Sequence, residues 1–189
     1  MEAVIKLARQ VGEIPDDPIS LMAGISQYFV ETGQPGRKNF IARQLSFHGN
    51  TLSTLSLAYH PTRRAPYADI LDNEHFHHVS PAYAKRFQKP DETEEEYVER
   101  LRQELEDKFI ELGPETVIGC EFFLFSVYLT VLSLILVAAE TVVGATTGVV
   151  GAPKGYFAAM KSVCEKYGAL FILDEVMCGM GSKSISLVQ

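Results

Sequence analysis

Cysteine and basic residues are scarce in this chain of 189 residues. Its three cysteines, Cys120, Cys164 and Cys178, have no paired spacing, which predicts no disulfide framework and a reducing compartment, the cytoplasm. Asp and Glu number 24 against 17 Lys and Arg, and the formal net charge is −7. Because nonspecific binding of nucleic acid needs a basic face, this charge balance argues against a nucleic-acid partner.

Recognisable metal-binding motifs are also missing. The sequence has no CxxC pair, and His75, His77 and His78 form a cluster without a carboxylate or thiol motif of known metal spacing. We therefore interpret these histidines as loop residues and predict no metal site. No signal peptide is recognisable either, because residues 1–10 open directly into a helical pattern.

Acidic and apolar residues are concentrated in two segments. Residues 91–111 hold ten acids and three bases, and the capping box Thr93-x-x-Glu96 with the apolar stripe after it predicts a solvated surface helix that ends at Gly113. Residues 122–139 carry no charge, proline or glycine, and by length they are a candidate membrane span. No Lys or Arg follows this run before Lys154, so it lacks positive anchors and a membrane location is disfavoured.

Strands and helices alternate along much of the chain. The patterns predict strands at 39–45, 115–119 and 169–173, helices at 51–58 and 155–168, and a loop-rich region at 59–90. This order predicts an α/β fold, a partial three-layer αβα sandwich with a mostly parallel sheet. The apolar strand 169–173 ends in Asp174 and Glu175, and ligands of parallel sheets bind at the carboxyl ends of strands.

Three blocks of the sequence are similar to one enzyme family. Residues 170–181, LFILDEVMCGMG, resemble the LDEV…GfGR signature of the class III aminotransferases, which are pyridoxal-phosphate enzymes of fold type I. Residues 39–57 resemble the family's strand, aromatic and His-Gly segment, and residues 138–176 resemble its block from Ala-Glu-Pro to Asp-Glu-Val. The resemblance implies that residues 1–181 are a fragment of the large, cofactor-binding domain. It also implies a transaminase that moves an amino group between an amine or amino acid and a keto acid or aldehyde.

The resemblance assigns roles to five residues around pyridoxal 5'-phosphate. Asp174 would keep the pyridine nitrogen protonated, so that the ring acts as an electron sink. Val176 would pack under one face of the ring, and Phe47 would stack on the other face with His48 beside it. Glu140 corresponds to the acid that lines the substrate side in the family.

One catalytic element of the family is absent from the sequence. The family uses a lysine that forms a Schiff base with the cofactor, some tens of residues beyond the DEV motif. The only lysine after Asp174 is Lys183, nine residues on. We therefore predict that the chain has no transaminase activity by itself. Family members are normally homodimers or tetramers, and the missing N-terminal part leaves the mitochondrion as an alternative compartment.

Three segments depart from the family pattern: residues 11–27, residues 120–137 and the tail 182–189. Their codons can hold splice signals, since Cys120-Glu121-Phe122 can be written TGT GAG TTT, which contains the donor GTGAGT. If the Leu136 codon ends in A and the Val137 codon is GTT or GTC, splicing from this donor to the acceptor at residues 136–137 leaves one phenylalanine between Gly119 and Ala138. We therefore hypothesise that these segments are intron-like insertions. The rival hypothesis is a membrane-anchored or non-catalytic interaction protein that uses the apolar segment 122–139.

Overall fold

The computed structural model describes residues 36–117, 119–121, 138–144 and 146–176. Several predictions lie outside these residues: the insertion at 11–27, most of the insertion at 120–137, and the tail 182–189. Of the candidate membrane segment 122–139, only Ala138 and Ala139 are described, and both belong to a strand of the sheet. Within the described ranges, no helix combines the length and the apolar character needed to cross a membrane.

The described strands form a parallel sheet and a small hairpin-like pair. In chain order the strands are β1 (Phe40–Arg43), β2 (Phe76–Val79), β3 (Gly119–Glu121), β4 (Ala138–Glu140), β5 (Val142–Val143), β6 (Val150–Gly151) and β7 (Leu170–Asp174). β1 pairs with β2 and β4, and β7 pairs with β4 and β3, always in parallel. β5 and β6 pair antiparallel.

Helices fill the connections between the parallel strands. They are α1 (Leu52–Leu57), α2 (Pro61–Arg64), α3 (Ala84–Phe87), α4 (Glu94–Leu112) and α5 (Tyr156–Lys166), with 3₁₀ helices at Ala65–Ile70 and Pro114–Thr116. Parallel pairing with helical crossovers is the predicted α/β arrangement, and the fold class is confirmed. The predicted strand at 115–119 begins later than expected, because the 3₁₀ turn Pro114–Thr116 precedes it.

Helix α4 forms from local signals. The Thr93 hydroxyl accepts a hydrogen bond from the Glu96 amide, and the Glu96 carboxylate accepts one from the Thr93 amide, so the predicted capping box is present. The apolar stripe Tyr97, Leu101, Leu105 and Phe109 is buried, as its helical spacing predicts. The predicted surface helix is confirmed, and one of its faces supplies much of the core.

Helices α4 and α5 pack against each other over this core. Phe109 of α4 stacks on Tyr167 at the end of α5, with ring centroids 5.4 Å apart. The Glu106 carboxylate accepts hydrogen bonds from Lys166 and from the Tyr167 hydroxyl, and it also binds Arg102 of its own helix. Met160 and Val163 of α5 are buried. The two helices therefore cover one side of the parallel sheet.

The region 59–90 contains a strand that the sequence pattern does not predict. His77 and His78 belong to β2, which pairs with β1 from Phe40↔Phe76 to Arg43↔Val79. The interpretation of these two histidines as loop residues is therefore wrong. The reason is tertiary: a four-residue strand has a weak local pattern, and its hydrogen bonds to β1 stabilise it. His78 is tied to the end of α1, where its Nε2 lies 2.9 Å from the Leu57 carbonyl oxygen.

Candidate functional site

The turn after β1 brings an aromatic ring and an imidazole to the carboxyl edge of the sheet. Leu45 has a φ of +57°, and the Ser46 hydroxyl donates to the Arg43 carbonyl oxygen at 2.7 Å, which closes the turn. Gly49 has a φ of +129°, and a Cβ there would lie 2.8 Å from Thr54 Oγ1. Only glycine therefore fits at this position, two residues before Thr51, the N-cap of α1.

Glu140 ties this turn to strand β4. Its Oε1 accepts a hydrogen bond of 2.8 Å from the Phe47 amide, and the Glu140 side chain is almost completely buried. The Glu140 carbonyl oxygen accepts a hydrogen bond of 2.5 Å from Arg43 Nη2. Burial raises the pKa of the Glu140 carboxyl group above its ordinary value. Glu140 thus positions the backbone that carries the Phe47 ring.

His48 and Asp174 form a buried pair between the turn and strand β7. The His48 Nδ1 atom lies 2.9 Å from Asp174 Oδ2, with the His48 side chain 0% and the Asp174 side chain 8% exposed. Burial acts to raise the pKa of Asp174, but the hydrogen bond from His48 and the electrostatic attraction to it outweigh that effect. The pKa of Asp174 is held below its ordinary value, so the carboxylate is ionised at neutral pH.

The Asp174 carboxylate retains acceptor capacity. Its Oδ1 accepts the Val176 amide at 3.1 Å and its Oδ2 accepts His48, while each carboxylate oxygen can accept two hydrogen bonds. His48 Nε2, which is also buried, has no hydrogen-bond partner in the described part of the chain. An ionised, nearly buried carboxylate with free acceptor capacity fits a protonated ring nitrogen. The residues present therefore fit the pyridine ring of pyridoxal phosphate.

Strand pairing brings the two acids together at one edge. Glu140 is the register partner of Asp174 in the parallel ladder between β4 and β7. The candidate site therefore lies at the carboxyl ends of β1, β4 and β7, where ligands of parallel α/β sheets bind. The structure brings four of the predicted residues into direct contact in pairs: His48 with Asp174, and Phe47 with Glu140.

Val176 and the Phe47 ring border the site less closely. The Val176 side chain is 86% exposed, and it joins the site through its amide hydrogen bond to Asp174. The Phe47 ring is half-buried, and the Arg63 guanidinium covers it at 4.1 Å from the ring centroid. No group of three or more His, Cys, Asp or Glu residues suited to a metal ion occurs within the described ranges.

Sequence reasoning missed two arginines at this edge. Arg43 is 2% exposed and holds the carbonyl end of β4, and Arg63 lies on the Phe47 ring. Arg43 is the one charged residue in the strand pattern 39–43, and that isolation was a usable signal for a specific partner. Arg63 follows no such pattern, because its contact with Phe47 depends on how the chain folds after α1.

Sequence comparisons place the chain among aminotransferases. The model of the family described as Aminotransferase class-III matches residues 133–183. An aminotransferase of Gibberella zeae is 48% identical over 164 residues, which cover 86% of this chain and 29% of that protein. The chloroplastic gamma aminobutyrate transaminase 3 of Solanum lycopersicum is 37% identical over 155 residues, covering 79% of this chain and 25% of that protein.

Solved structures show the same fold. The omega transaminase of Pseudomonas jessenii, in complex with PMP, superimposes with a TM-score of 0.73 at 29% identity and covers 95% of this chain and 32% of that one. A PLP-bound aminotransferase mutant from Vibrio fluvialis has a TM-score of 0.67 at 30% identity, covering 81% of this chain and 29% of that one. The chain spans about 30% of the length of the curated relatives it matches first.

Proposed function

Because the chain belongs to the class-III aminotransferases, we propose that the protein transfers an amino group with pyridoxal 5'-phosphate as its cofactor. The donor is an amine or amino acid and the acceptor is a keto acid or aldehyde. The buried His48–Asp174 pair at the carboxyl edge of the sheet is the single observation that carries this proposal. The Asp174 carboxylate is ionised and nearly buried, and beyond its hydrogen bonds to His48 and Val176 it keeps acceptor capacity that the pyridinium nitrogen of the cofactor would use.

In this proposal each residue of the site has one task. When bound, the cofactor supplies an electron sink for the charge left on the substrate carbon after it loses a proton. Asp174 would keep the proton on the ring nitrogen, and His48 orients the Asp174 carboxylate through the hydrogen bond of 2.9 Å. Phe47 and Val176 would hold the ring from its two faces. Glu140 holds the Phe47 turn through the amide hydrogen bond and lies on the substrate side.

Binding of pyridoxamine phosphate to the full chain tests the proposal, because this form of the cofactor needs no lysine. Asp174→Asn is expected to weaken binding at least about tenfold, since a hydrogen bond to a charged group contributes about 1.5–3 kcal/mol. Asp72→Asn is the matched control: Asp72 also accepts from a histidine, His75 Nδ1 at 3.0 Å, but it lies outside the site. Calorimetric titration measures both affinities.

Two outcomes of this titration would contradict the assignment of Asp174 or the specificity of its effect for the site. Equal affinities of Asp174→Asn and the unaltered chain would refute the assignment of Asp174. Equal losses in Asp174→Asn and Asp72→Asn would show that the effect is not specific to the site. Circular dichroism of both variants verifies that the fold is retained.

Three further properties of the protein follow from the family and are part of the proposal. We expect a homo-oligomer, and we expect the 189 residues by themselves to be inactive, because their only lysine after Asp174 is Lys183, which is much nearer to the DEV motif than the lysine of the family. Keto product formed from an amine donor by the purified chain with pyridoxal phosphate, at a rate above that without the protein, would contradict the latter. The expected compartment is the cytoplasm, with the mitochondrion as the alternative because an Oryza sativa relative is described as mitochondrial.

A further inference from the structure

Strands β3 and β4 share one position in the sheet. On one side, Val117, two residues before β3, pairs with Asn39, and Ala138 of β4 pairs with Ala42 of β1. The amides of Lys38 and Asn39 both donate to the Thr116 carbonyl oxygen, which extends the same contact. The segment that leads into β3 and the strand β4 therefore have the same neighbour, the chain segment of β1.

The other neighbour of both strands is β7. β3 pairs with residues 170–172 and β4 pairs with residues 172–174 of this strand. A β3 on the far side of β7 would lie about 14 Å from β1, three strand spacings of about 4.8 Å away. Cα atoms of β1 and β3 instead approach within 8 Å of each other. β3 and β4 therefore lie end to end in the slot between β1 and β7.

The register along β7 shows how many residues fit between Gly119 and Ala138 in the strand position between β1 and β7. Gly119 is opposite Leu170 and Ala138 is opposite Ile172, so a regular parallel ladder has room for one residue between them. Glu121 and Ala138 share Ile172 as their partner, so the end of β3 and the start of β4 meet at one point of β7. On the side of β1, Val117 pairs with Asn39 and Ala138 pairs with Ala42, three positions further on. This distance leaves no residue between Gly119 and Ala138. The pairs with β1 and with β7 thus allow at most one residue between Gly119 and Ala138. The two ladders with β7, each of three residues, indicate one residue.

We infer that residues 120–137 interrupt a single central strand, and that the uninterrupted form of this protein has one residue between Gly119 and Ala138. The splice signals that the codons of residues 120–137 can hold lead to the same count, one residue, which is phenylalanine where the Val137 codon is GTT or GTC, and this reasoning involves no coordinates. The interruption lies directly before β4, the strand that carries Glu140 two residues after Ala138.

A series of linker lengths in the full chain tests the count. Residues 120–137 are replaced by no residue, by Phe, or by Phe-Ala, and thermal unfolding of each variant is compared with that of the unaltered chain. The one-residue variant is expected to unfold at least about 4 °C higher than the unaltered chain. The two-residue variant is expected to be less stable than the one-residue variant, because a slip of one residue turns every following side chain to the other face.

The outcomes of the series are distinct. The inference is overturned if the unaltered chain is as stable as the one-residue variant. It is also overturned if the variant with no residue or the variant with Phe-Ala is more stable than the one-residue variant. The readout needs no cofactor, so the series can succeed or fail independently of the proposed transaminase activity. Sequencing of cDNA from the source organism adds a second measurement: transcripts that encode Gly119-Phe-Ala138 are expected, and their complete absence would contradict an uninterrupted form.

Discussion

His78 is expected to make the stability of this chain depend on pH between about 6.5 and 4. Burial lowers the pKa of His78 from 6.5 to about 4, and the charges of Arg64, His77 and His48 act in the same direction against the hydrogen bond to Leu57. The folded state therefore prefers the neutral imidazole. Its contribution to stability is complete above pH 6.5 and is lost progressively as the pH falls towards 4.

The size of the effect follows from the two pKa values. One pKa unit corresponds to about 1.4 kcal/mol, so the full contribution is about 3 kcal/mol and about 2 kcal/mol of it is lost between pH 7.5 and pH 5. Asp and Glu residues in the unfolded chain titrate mostly below this range. Burial lowers the pKa of His77 as well, which adds a smaller slope of the same sign.

Urea unfolding at pH 7.5, 6.5, 5.5 and 5.0, monitored by circular dichroism, measures this contribution. His78→Gln keeps a donor that can reach the Leu57 carbonyl oxygen and removes the titrating group. We expect the free energy of unfolding of this variant to change by about 2 kcal/mol less over the range than that of the unaltered chain. His60→Gln is the control, because His60 contacts the Thr62 hydroxyl at the surface. If His78→Gln and the unaltered chain lose the same free energy, the reasoning is refuted.

Two predictions concern helix α4. Phe109→Ala removes a fully buried ring that stacks on Tyr167, and it is expected to lower the free energy of unfolding by about 3–5 kcal/mol. Ile110→Ala, at a side chain that is 61% exposed, should change it by less than about 0.5 kcal/mol, and equal losses would contradict the packing argument. Thr93→Ala removes the hydroxyl of the capping box and is expected to cost about 1 kcal/mol in the same assay, whereas Thr93→Ser should retain most of the stability. A loss in Thr93→Ser as large as in Thr93→Ala would mean that the cap does not act through its hydroxyl.

Prediction from the sequence succeeded where the signal is short-range. Helix α4 begins one residue after Thr93 and ends one residue before Gly113, as the capping box and the glycine predict. The strand β7 occupies the apolar run before Asp174, and α1 follows Thr51, which caps it. These elements form from interactions within about one turn or one strand, so the local pattern is sufficient.

The prediction from the sequence failed at β2, because its stabilising partner, β1, is far away in the chain. Residues 76–79 have little alternation, and only pairing with β1, from Phe40↔Phe76 onward, makes them a strand. The same applies to Arg63, whose position over the Phe47 ring depends on the path of α2. Local patterns contain no information about such contacts.

The sequence by itself indicated the family and the α/β class, and it proposed Phe47, His48, Glu140 and Asp174 as candidate site residues, because short motifs and periodic patterns contain that information. Only the tertiary structure decided which of them touch. His48 binds Asp174 across 126 positions of the chain, and Phe47 binds Glu140 across 93. Both contacts require the parallel register that sets Glu140 beside Asp174, and that register is formed by strands from separate parts of the chain.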